Sequence, residues 1–121
     1  PVIDAAVMAR NVSSRRGERA AGEALYGPAP KRAEVSLGDL EQALIAGKIL
    51  CYAQGFAMTA AAAKEFGWAL KLPAIARVWR AGCIIRWAML NDMATALTED
   101  PGRNLILAPV FAGHLRRTLP A

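Results

Sequence analysis

The residues best suited to chemistry lie between Arg10 and Arg16 of this 121-residue chain. Ser13 and Ser14 are residue types that cap the start of a helix, which would place Arg15 and Arg16 in its first turn. Arginines at that end oppose the helix dipole, and a bound phosphate would relieve the repulsion while matching the planar guanidinium fork. The spacing therefore indicates an anion site that includes Arg10. The simpler alternative, which these residues alone favour, is a solvated basic surface.

No other group of residues has the spacing of a catalytic or metal site. His114 is the only histidine, and the two cysteines, Cys51 and Cys83, lie far from it and from each other along the chain. A zinc site has no local support, and a serine–histidine–aspartate arrangement would have to be assembled from unrelated helices. We expect no catalytic residue and no metal ligand, with the cysteines as small buried apolar residues and His114 as a surface or packing residue.

Nucleotide-binding signatures are missing as well. The chain has no G-x-G-x-x-G fingerprint, and Gly17 and Gly22 are not followed by the Lys-Ser/Thr pair of a phosphate-binding loop. We therefore expect no cofactor to be bound by these residues alone.

The overall charge permits an anionic partner without identifying one. The net charge is +5 in a composition that is 55% hydrophobic and 21% charged, which is typical of one globular domain. Aromatic residues do not interleave with the short basic clusters, so we expect no nucleic-acid binding. The charge-free run between Lys48 and Lys64 is shorter than a membrane span and carries polar residues, and no signal peptide is evident. These features predict a soluble protein.

Helical periodicity dominates the first part of the chain. Apolar residues recur on one stripe of a helix over residues 2–10, and a second helix is predicted from the Ser13–Ser14 cap to Leu25. Two closely spaced prolines in residues 26–32 predict a loop within one domain, because each flank is too small to form its own core.

The longest predicted helix follows Ser36-Leu-Gly-Asp39, which approximates a capping box. It runs close to Phe66, where Gly67 can adopt the left-handed conformation that ends a helix. Its apolar positions cover nearly the whole circumference, which is typical of a central buried helix.

One face of that helix carries small residues four positions apart, namely Gly47, Cys51 and Gly55. Small side chains there let a second helix approach closely. The simpler interpretation is tight packing inside this domain, and the alternative is a subunit interface.

The remaining part of the chain is also predicted to be helical, because proline and glycine recur where helices start and stop. Residues 104–107 form a short apolar run that suits a strand, but no partner strand is evident. The predicted fold class is therefore all-α, a multi-helix domain built around a long central buried helix. The predicted elements are a helix from Pro73 to Trp79, a bend at Ala81-Gly82, a helix from Cys83 to about Leu97 ended by Glu99-Asp-Pro-Gly102, and a helix from Pro109 to Arg116-Arg117.

Several longer motifs occur in a distinctive order along the chain. They are Ala6-Val-Met-Ala-Arg10, Lys48-Ile-Leu-Cys-Tyr-Ala-Gln-Gly-Phe56, Glu65-Phe-Gly-Trp68, Trp79-Arg80, Gly82-Cys-Ile-Ile-Arg86 and Asn104-Leu-Ile-Leu107. Together they resemble the C-terminal helical domain of the decarboxylating 6-phosphogluconate dehydrogenases. The likeness covers most of the chain and is weakest in residues 27–35.

The resemblance implies an oxidoreductase of the pentose phosphate pathway and of gluconate utilization. Enzymes of this family oxidise 6-phosphogluconate with NADP and then release carbon dioxide to give ribulose 5-phosphate, and a cytoplasmic homodimer is expected. Their catalytic lysine and glutamate would lie upstream of residue 1, as would the Rossmann domain that holds NADP. The resemblance thus implies that residues 1–121 are one helical domain, lacking that Rossmann domain and a C-terminal tail, and inactive alone.

The resemblance assigns a substrate role to one residue of this chain. The arginine of the Ala-Val-x-Ala-Arg motif, here Arg10, would help bind the phosphate of 6-phosphogluconate, while Arg15 and Arg16 inherit no role. Other motif residues are expected in packing and buried hydrogen bonds, with Arg80 and Arg86 each finding a carboxylate or carbonyl partner. The alternative function is a helical dimerisation or scaffold domain without a ligand. The motif residues assigned to packing and hydrogen bonds are Lys48, Tyr52, Gln54, Trp79, Arg80 and Arg86.

Overall fold

The computed structural model describes residues 2–28 and 34–119 of the chain. Over these residues it forms six α-helices, one short 3-10 helix and no strand, which confirms the all-α prediction. The predicted loop over residues 26–32 lies largely outside the described residues. The elements are α1 (Val2–Ser13), α2 (Arg16–Tyr26), α3 (Leu37–Glu65), α4 (Leu72–Trp79), α5 (Leu90–Glu99), the 3-10 helix Leu105–Leu107 and α6 (Pro109–Thr118).

The ends of α3 follow the predicted capping chemistry. The backbone N–H of Asp39 donates to the hydroxyl of Ser36 at 3.0 Å, which satisfies one of the free N–H groups at the helix start. At the other end Phe66 is the C-cap residue, and Gly67 follows with a φ of +67°. Only glycine adopts that conformation without strain, so the chain turns away from the helix axis there.

The core lies on one side of α3, where α6 and the 3-10 helix pack against it while α4 packs against α5. Phe56 of α3 and Phe111 of α6 are among the largest fully buried side chains, together with Ile49, Leu90 and Met93. Burial of each such side chain contributes about 1.5–3 kcal/mol. This cluster joins α3 to the C-terminal helices and makes residues 37–119 one packed unit.

α3 is the long central helix of the predicted all-α fold, and the described residues bury one side of it. Its buried residues are Ala46, Ile49, Ala53 and Phe56, whereas Leu44 is 59% exposed and Met58 is 64% exposed. Apolar residues surround α3, as the sequence indicates, but the described part of the chain covers only one side of the helix. By length and composition alone, α3 is long and apolar enough to cross a membrane. Core helices of globular proteins often meet the same criteria.

The start of the chain differs from the prediction at the junction of α1 and α2. The first helix continues to Ser13, three residues beyond the predicted end, and Ser14 donates its hydroxyl proton to the carbonyl of Asn11 at 2.7 Å. The serines therefore do not cap α2, whose capping position is Arg15 with no side-chain hydrogen bond. A serine hydroxyl can either accept an N–H of the following helix or donate to the carbonyl of a preceding residue. Sequence spacing does not show which of these two hydrogen bonds forms.

The segment after α4 departs furthest from the prediction. A bend occurs at Gly82, with a φ of +76°, but the following helix starts at Leu90 rather than at Cys83. Residues 83–89 form turns instead. In these turns the carbonyl of Ile85 accepts a hydrogen bond from the hydroxyl of Tyr52, and Trp87 stacks on the same tyrosine. These contacts with α3 hold the segment out of helical conformation, so tertiary packing overrides local helix propensity.

The last elements follow the prediction except at the short apolar run. Pro109 starts α6 and the Asp100-Pro-Gly turn ends α5 at Glu99, as expected from proline and glycine placement. Residues 105–107 form a 3-10 helix rather than a strand, because the Asn104 side chain accepts a hydrogen bond from the N–H of Ile106 at 3.1 Å and starts a tight turn.

The Ser36 cap leads to a stability prediction. Replacing Ser36 by alanine removes the acceptor for the Asp39 N–H, so the Ser36→Ala variant should lose about 1 kcal/mol of unfolding free energy. Urea denaturation followed by circular dichroism measures the loss. Ser13→Ala, in an exposed helical position without a capping bond, is the matched control and should change stability by less than about 0.5 kcal/mol. Equal losses in both variants would refute the capping role.

Candidate functional site

Arg10 lies in the last turn of α1, and its side chain is exposed. The N–H of Ser14 donates to the Arg10 carbonyl at 2.9 Å, so the backbone at this position is still helical. Over the described residues the ion pairs lie elsewhere, one of them joining Arg15 to Glu18 at 3.3 Å. The guanidinium of Arg10 therefore projects into solvent without a carboxylate on the described surface to neutralise it.

The dipole argument for an anion site is wrong for Arg10. A helix has its negative end at the C-terminus, so a cation in the last turn of α1 is stabilised by the helix rather than repelled by it. The positive end nearby belongs to α2, and there Arg15 already pairs with Glu18. The sequence pattern places Arg10, Arg15 and Arg16 in one basic group. In the structure Arg10 lies in the last turn of α1, whereas Arg15 and Arg16 lie at the start of α2.

The small-residue face of α3 borders an open apolar groove of about 580 Å³. Gly47, Cys51 and Gly55 line it, and a methyl group built onto either glycine would meet no atom within 4 Å. No helix of the described chain therefore uses this face for close packing, and the interpretation of tight internal packing is wrong. The opposite wall comes from α4 and the turns after it, where Ile84 is fully exposed.

Three polar motif residues of α3 make specific contacts around this groove. The ammonium of Lys48 lies 4.8 Å from the centre of the Trp87 ring, a cation–π geometry. Trp87 also stacks on Tyr52 with ring centres 5.7 Å apart. The side-chain carbonyl of Gln54 accepts a hydrogen bond from the backbone N–H of Ile3 at 2.9 Å. These contacts confirm the packing and hydrogen-bonding roles expected of Tyr52 and Gln54, whereas Lys48 is exposed and lies over the face of Trp87.

Trp79 joins the groove wall to the core. Its ring lies 5.2 Å from that of Phe56, which is buried in the centre of the apolar cluster. The packing role expected of Trp79 is thus confirmed.

The expectation for Arg80 and Arg86 is wrong. Both side chains are exposed, and no hydrogen bond or ion pair joins either guanidinium to the residues that the structure describes. They follow apolar residues in sequence, but Arg80 lies at the end of α4 and Arg86 in the turns after Gly82, where both face solvent. Arg86 lines the groove and gives one part of its wall a positive charge.

Burial raises the pKa of the Tyr52 phenol, and a smaller contribution comes from the negative charge that the nearby Cys83 carries when ionised. Both effects disfavour the phenolate, so Tyr52 stays protonated and donates its hydrogen bond to Ile85. Cys83 itself donates to the carbonyl of Trp79 at 3.1 Å and, like Cys51, is half-buried and free.

Within the described ranges no three histidine, cysteine or acidic residues come together in a way that could hold a metal ion. His114 is half-buried on α6, where its Nδ1 lies 3.0 Å from a guanidinium nitrogen of Arg117. That contact is local to one helix and suits the packing role expected of His114.

Sequence reasoning missed Trp87 as a central residue of this region. It contacts both Lys48 and Tyr52, yet it follows Arg86 in a segment that was predicted to be helical. The only available signal was a large aromatic residue close in sequence to a glycine bend, which does not specify a partner.

Comparison with known proteins identifies what this arrangement of helices is similar to. The model of the family described as "6-phosphogluconate dehydrogenase, C-terminal domain" matches residues 1–121. The decarboxylating 6-phosphogluconate dehydrogenase of Schizosaccharomyces pombe is 46% identical over 96% of the chain, and that of Mus musculus is 43% identical over 91%. The chain spans about a quarter of the length of these relatives, 25% and 24% respectively.

A solved structure gives the same result for the fold. The chain superposes on Plasmodium falciparum 6-phosphogluconate dehydrogenase with a TM-score of 0.79 and 31% identity, over 96% of this chain and 26% of that one. That enzyme was studied in its apo form and in complexes with its cofactor NADP+ and its substrate 6-phosphogluconate.

The raised pKa of Tyr52 leads to a prediction about alkaline stability. The native state keeps the phenol proton at pH values where the unfolded chain begins to release it. The stability contributed by this group is therefore complete below about pH 10 and is lost as the pH rises through the native pKa. The unfolding free energy of the wild type should fall more steeply above that pH than that of Tyr52→Phe.

Chemical denaturation between neutral pH and pH 11 measures both slopes. Tyr26→Phe is the matched control, since Tyr26 is 85% exposed and its removal should leave the wild-type slope unchanged. Parallel curves for the wild type and Tyr52→Phe would contradict the proposed burial of the phenol.

Proposed function

The chain belongs to the family of 6-phosphogluconate dehydrogenase C-terminal domains, and from that membership we propose that it serves as the helical domain of such an enzyme. In this proposal the parent protein carries out NADP-dependent oxidative decarboxylation of 6-phosphogluconate to ribulose 5-phosphate in the cytoplasm. The single observation that supports it best is the family match over residues 1–121.

NADP is assigned to the part of the parent enzyme that lies outside this chain. The described residues form helices only, so they offer no βα turn at which backbone N–H groups could hold a pyrophosphate. The residues present do not fit the cofactor, and no catalytic acid or base is proposed among them. The chain alone should therefore be inactive.

Arg10 is proposed as a ligand of the substrate phosphate. Its motif, Ala6-Val-Met-Ala-Arg10, is the one whose arginine binds the phosphate in the family that the chain resembles. The exposed, uncompensated guanidinium supports this role, since two parallel N–H groups can donate to two phosphate oxygens.

The Arg10→Ala variant tests this role in the enzyme translated from the complete reading frame around this segment. Loss of a charge-assisted hydrogen bond should raise the KM for 6-phosphogluconate about ten- to hundredfold. NADPH formation measured at 340 nm gives KM and kcat, and kcat should change much less because the reacting carbon is remote from the phosphate.

Two controls accompany that assay. Arg16→Ala removes a nearby exposed arginine to which no role is assigned, and its KM should equal that of the wild type. The 121-residue chain alone should produce no NADPH. An unchanged KM in Arg10→Ala would refute the phosphate role, and no turnover by the complete wild-type protein would favour the alternative of a helical scaffold without catalysis.

The apolar groove of α3 supports homodimer formation as part of the same function. Gly47 and Gly55 leave room for another helix, and the exposed apolar residues beside them, Leu44 and Ile84, have no cover in the described chain. Apolar surface of this kind on one face typically meets another protein surface. We assign that surface to a second copy of the protein.

The Ile84→Asp variant tests the dimer. A carboxylate at this fully exposed apolar position should not disturb the core but should weaken self-association about tenfold or more, because it would be desolvated in the interface. Sedimentation velocity over a concentration series gives the dissociation constant. Leu107→Asp, at an exposed apolar position away from the groove, is the matched control. A monomeric wild type, or equal dissociation constants in both variants, would contradict the assignment.

A further inference from the structure

We propose that Gln54 is a positioning residue that sets the location of Arg10 and, through it, the affinity for the substrate phosphate. The inference rests on the phosphate role proposed above for Arg10. Its basis is the hydrogen bond in which the Gln54 side-chain carbonyl accepts the backbone N–H of Ile3 at 2.9 Å, between residues 51 positions apart.

This hydrogen bond carries unusual weight because, among the residues that the structure describes, little else holds α1 in place. The helix buries none of its residues, and its apolar side chains Val7 and Met8 are 51% and 68% exposed. α1 packs mainly on α3, the helix that supplies Gln54. Where apolar burial is small, one directional hydrogen bond between half-buried partners decides the register of two helices.

The backbone N–H of Ile3, in the first turn of α1 as the structure describes it, donates to a side chain of another helix. Gln54 of α3 supplies the acceptor. Ile3 itself lines the groove beside Gly55, so the start of α1 is anchored at one point on α3.

Helix geometry connects this anchor to Arg10. Arg10 lies seven positions after Ile3, which amounts to a rise of about 10 Å and to nearly two full turns, so both residues lie on about the same side of α1. A tilt of about 10° around the anchor would therefore move the Cα of Arg10 by about 2 Å. Binding geometry is sensitive to displacements on the order of 1 Å, so loosening the anchor should weaken the phosphate contact.

The experiment uses the enzyme from the complete reading frame with two variants at residue 54. Gln54→Met keeps the length of the side chain and removes the acceptor, and Gln54→Glu keeps an acceptor. Gln54→Met should raise the KM for 6-phosphogluconate about three- to tenfold at nearly constant kcat. Gln54→Glu should restore the KM to within about twofold of the wild type, because a carboxylate accepts the same N–H.

A substrate without phosphate separates positioning from a general structural role. Gluconate lacks the group that Arg10 binds, so kcat/KM for gluconate should be the same in the wild type and in Gln54→Met. Gln42→Met, at a half-buried glutamine of the same helix, is the matched control and should leave both substrates unaffected. If Gln54→Met does not fold, Gln54→Asn, one methylene shorter, should raise the KM for 6-phosphogluconate in the same selective way.

The double variant Arg10→Ala/Gln54→Met completes the test. If Gln54 acts through Arg10, the double variant should have the same KM as Arg10→Ala alone, whereas independent effects would multiply. Multiplied effects, or an equal loss with gluconate, would overturn the positioning role. If Arg10→Ala itself leaves the KM unchanged, the phosphate role fails. If Arg10→Ala raises the KM and neither Gln54→Met nor Gln54→Asn does, only the positioning role of Gln54 fails.

Discussion

The apolar surface of α3 has to be removed from water, and the burial of Ile49, Ala53 and Phe56 on one of its sides is the interaction on which the other helices depend. Phe56 reaches both the core and Trp79 of α4. Along its 29 residues, the described elements that pack on α3 are mainly α1, α6 and the 3-10 helix. The same constraint therefore explains both the core on one side of α3 and the open groove on the other.

The groove side is organised by polar and aromatic contacts rather than by dense packing. Tyr52 donates to the carbonyl of Ile85 and stacks on Trp87, and Lys48 lies over the same ring. These contacts hold the turns after α4 against α3 and place Ile84 at the surface. The groove side is thus held in a defined conformation, which suits the association surface proposed for it.

Arg10 depends on α3 in a different way. Its helix buries no residue, and the bond from Ile3 to Gln54 is the polar contact that joins the start of α1 to α3. A surface helix of this kind can present a charged side chain to a ligand at little desolvation cost. Its position is then decided by few interactions among the described residues, so the phosphate contact proposed for Arg10 should be sensitive to residues that do not touch the substrate.

The sequence by itself determined the all-α class, the Ser36 and Gly67 ends of α3, the proline start of α6 and the motifs that resemble the family, because these depend on local backbone chemistry and on residue order. Only the tertiary structure decided that Leu90 starts α5, that Arg86 is exposed and that Gln54 meets Ile3. Those features depend on contacts between residues distant in sequence, and periodicity carries no information about which distant residues meet. For the same reason the apolar circumference of α3 indicated that it needs cover, while only the folded chain distinguishes the covered side from the open one.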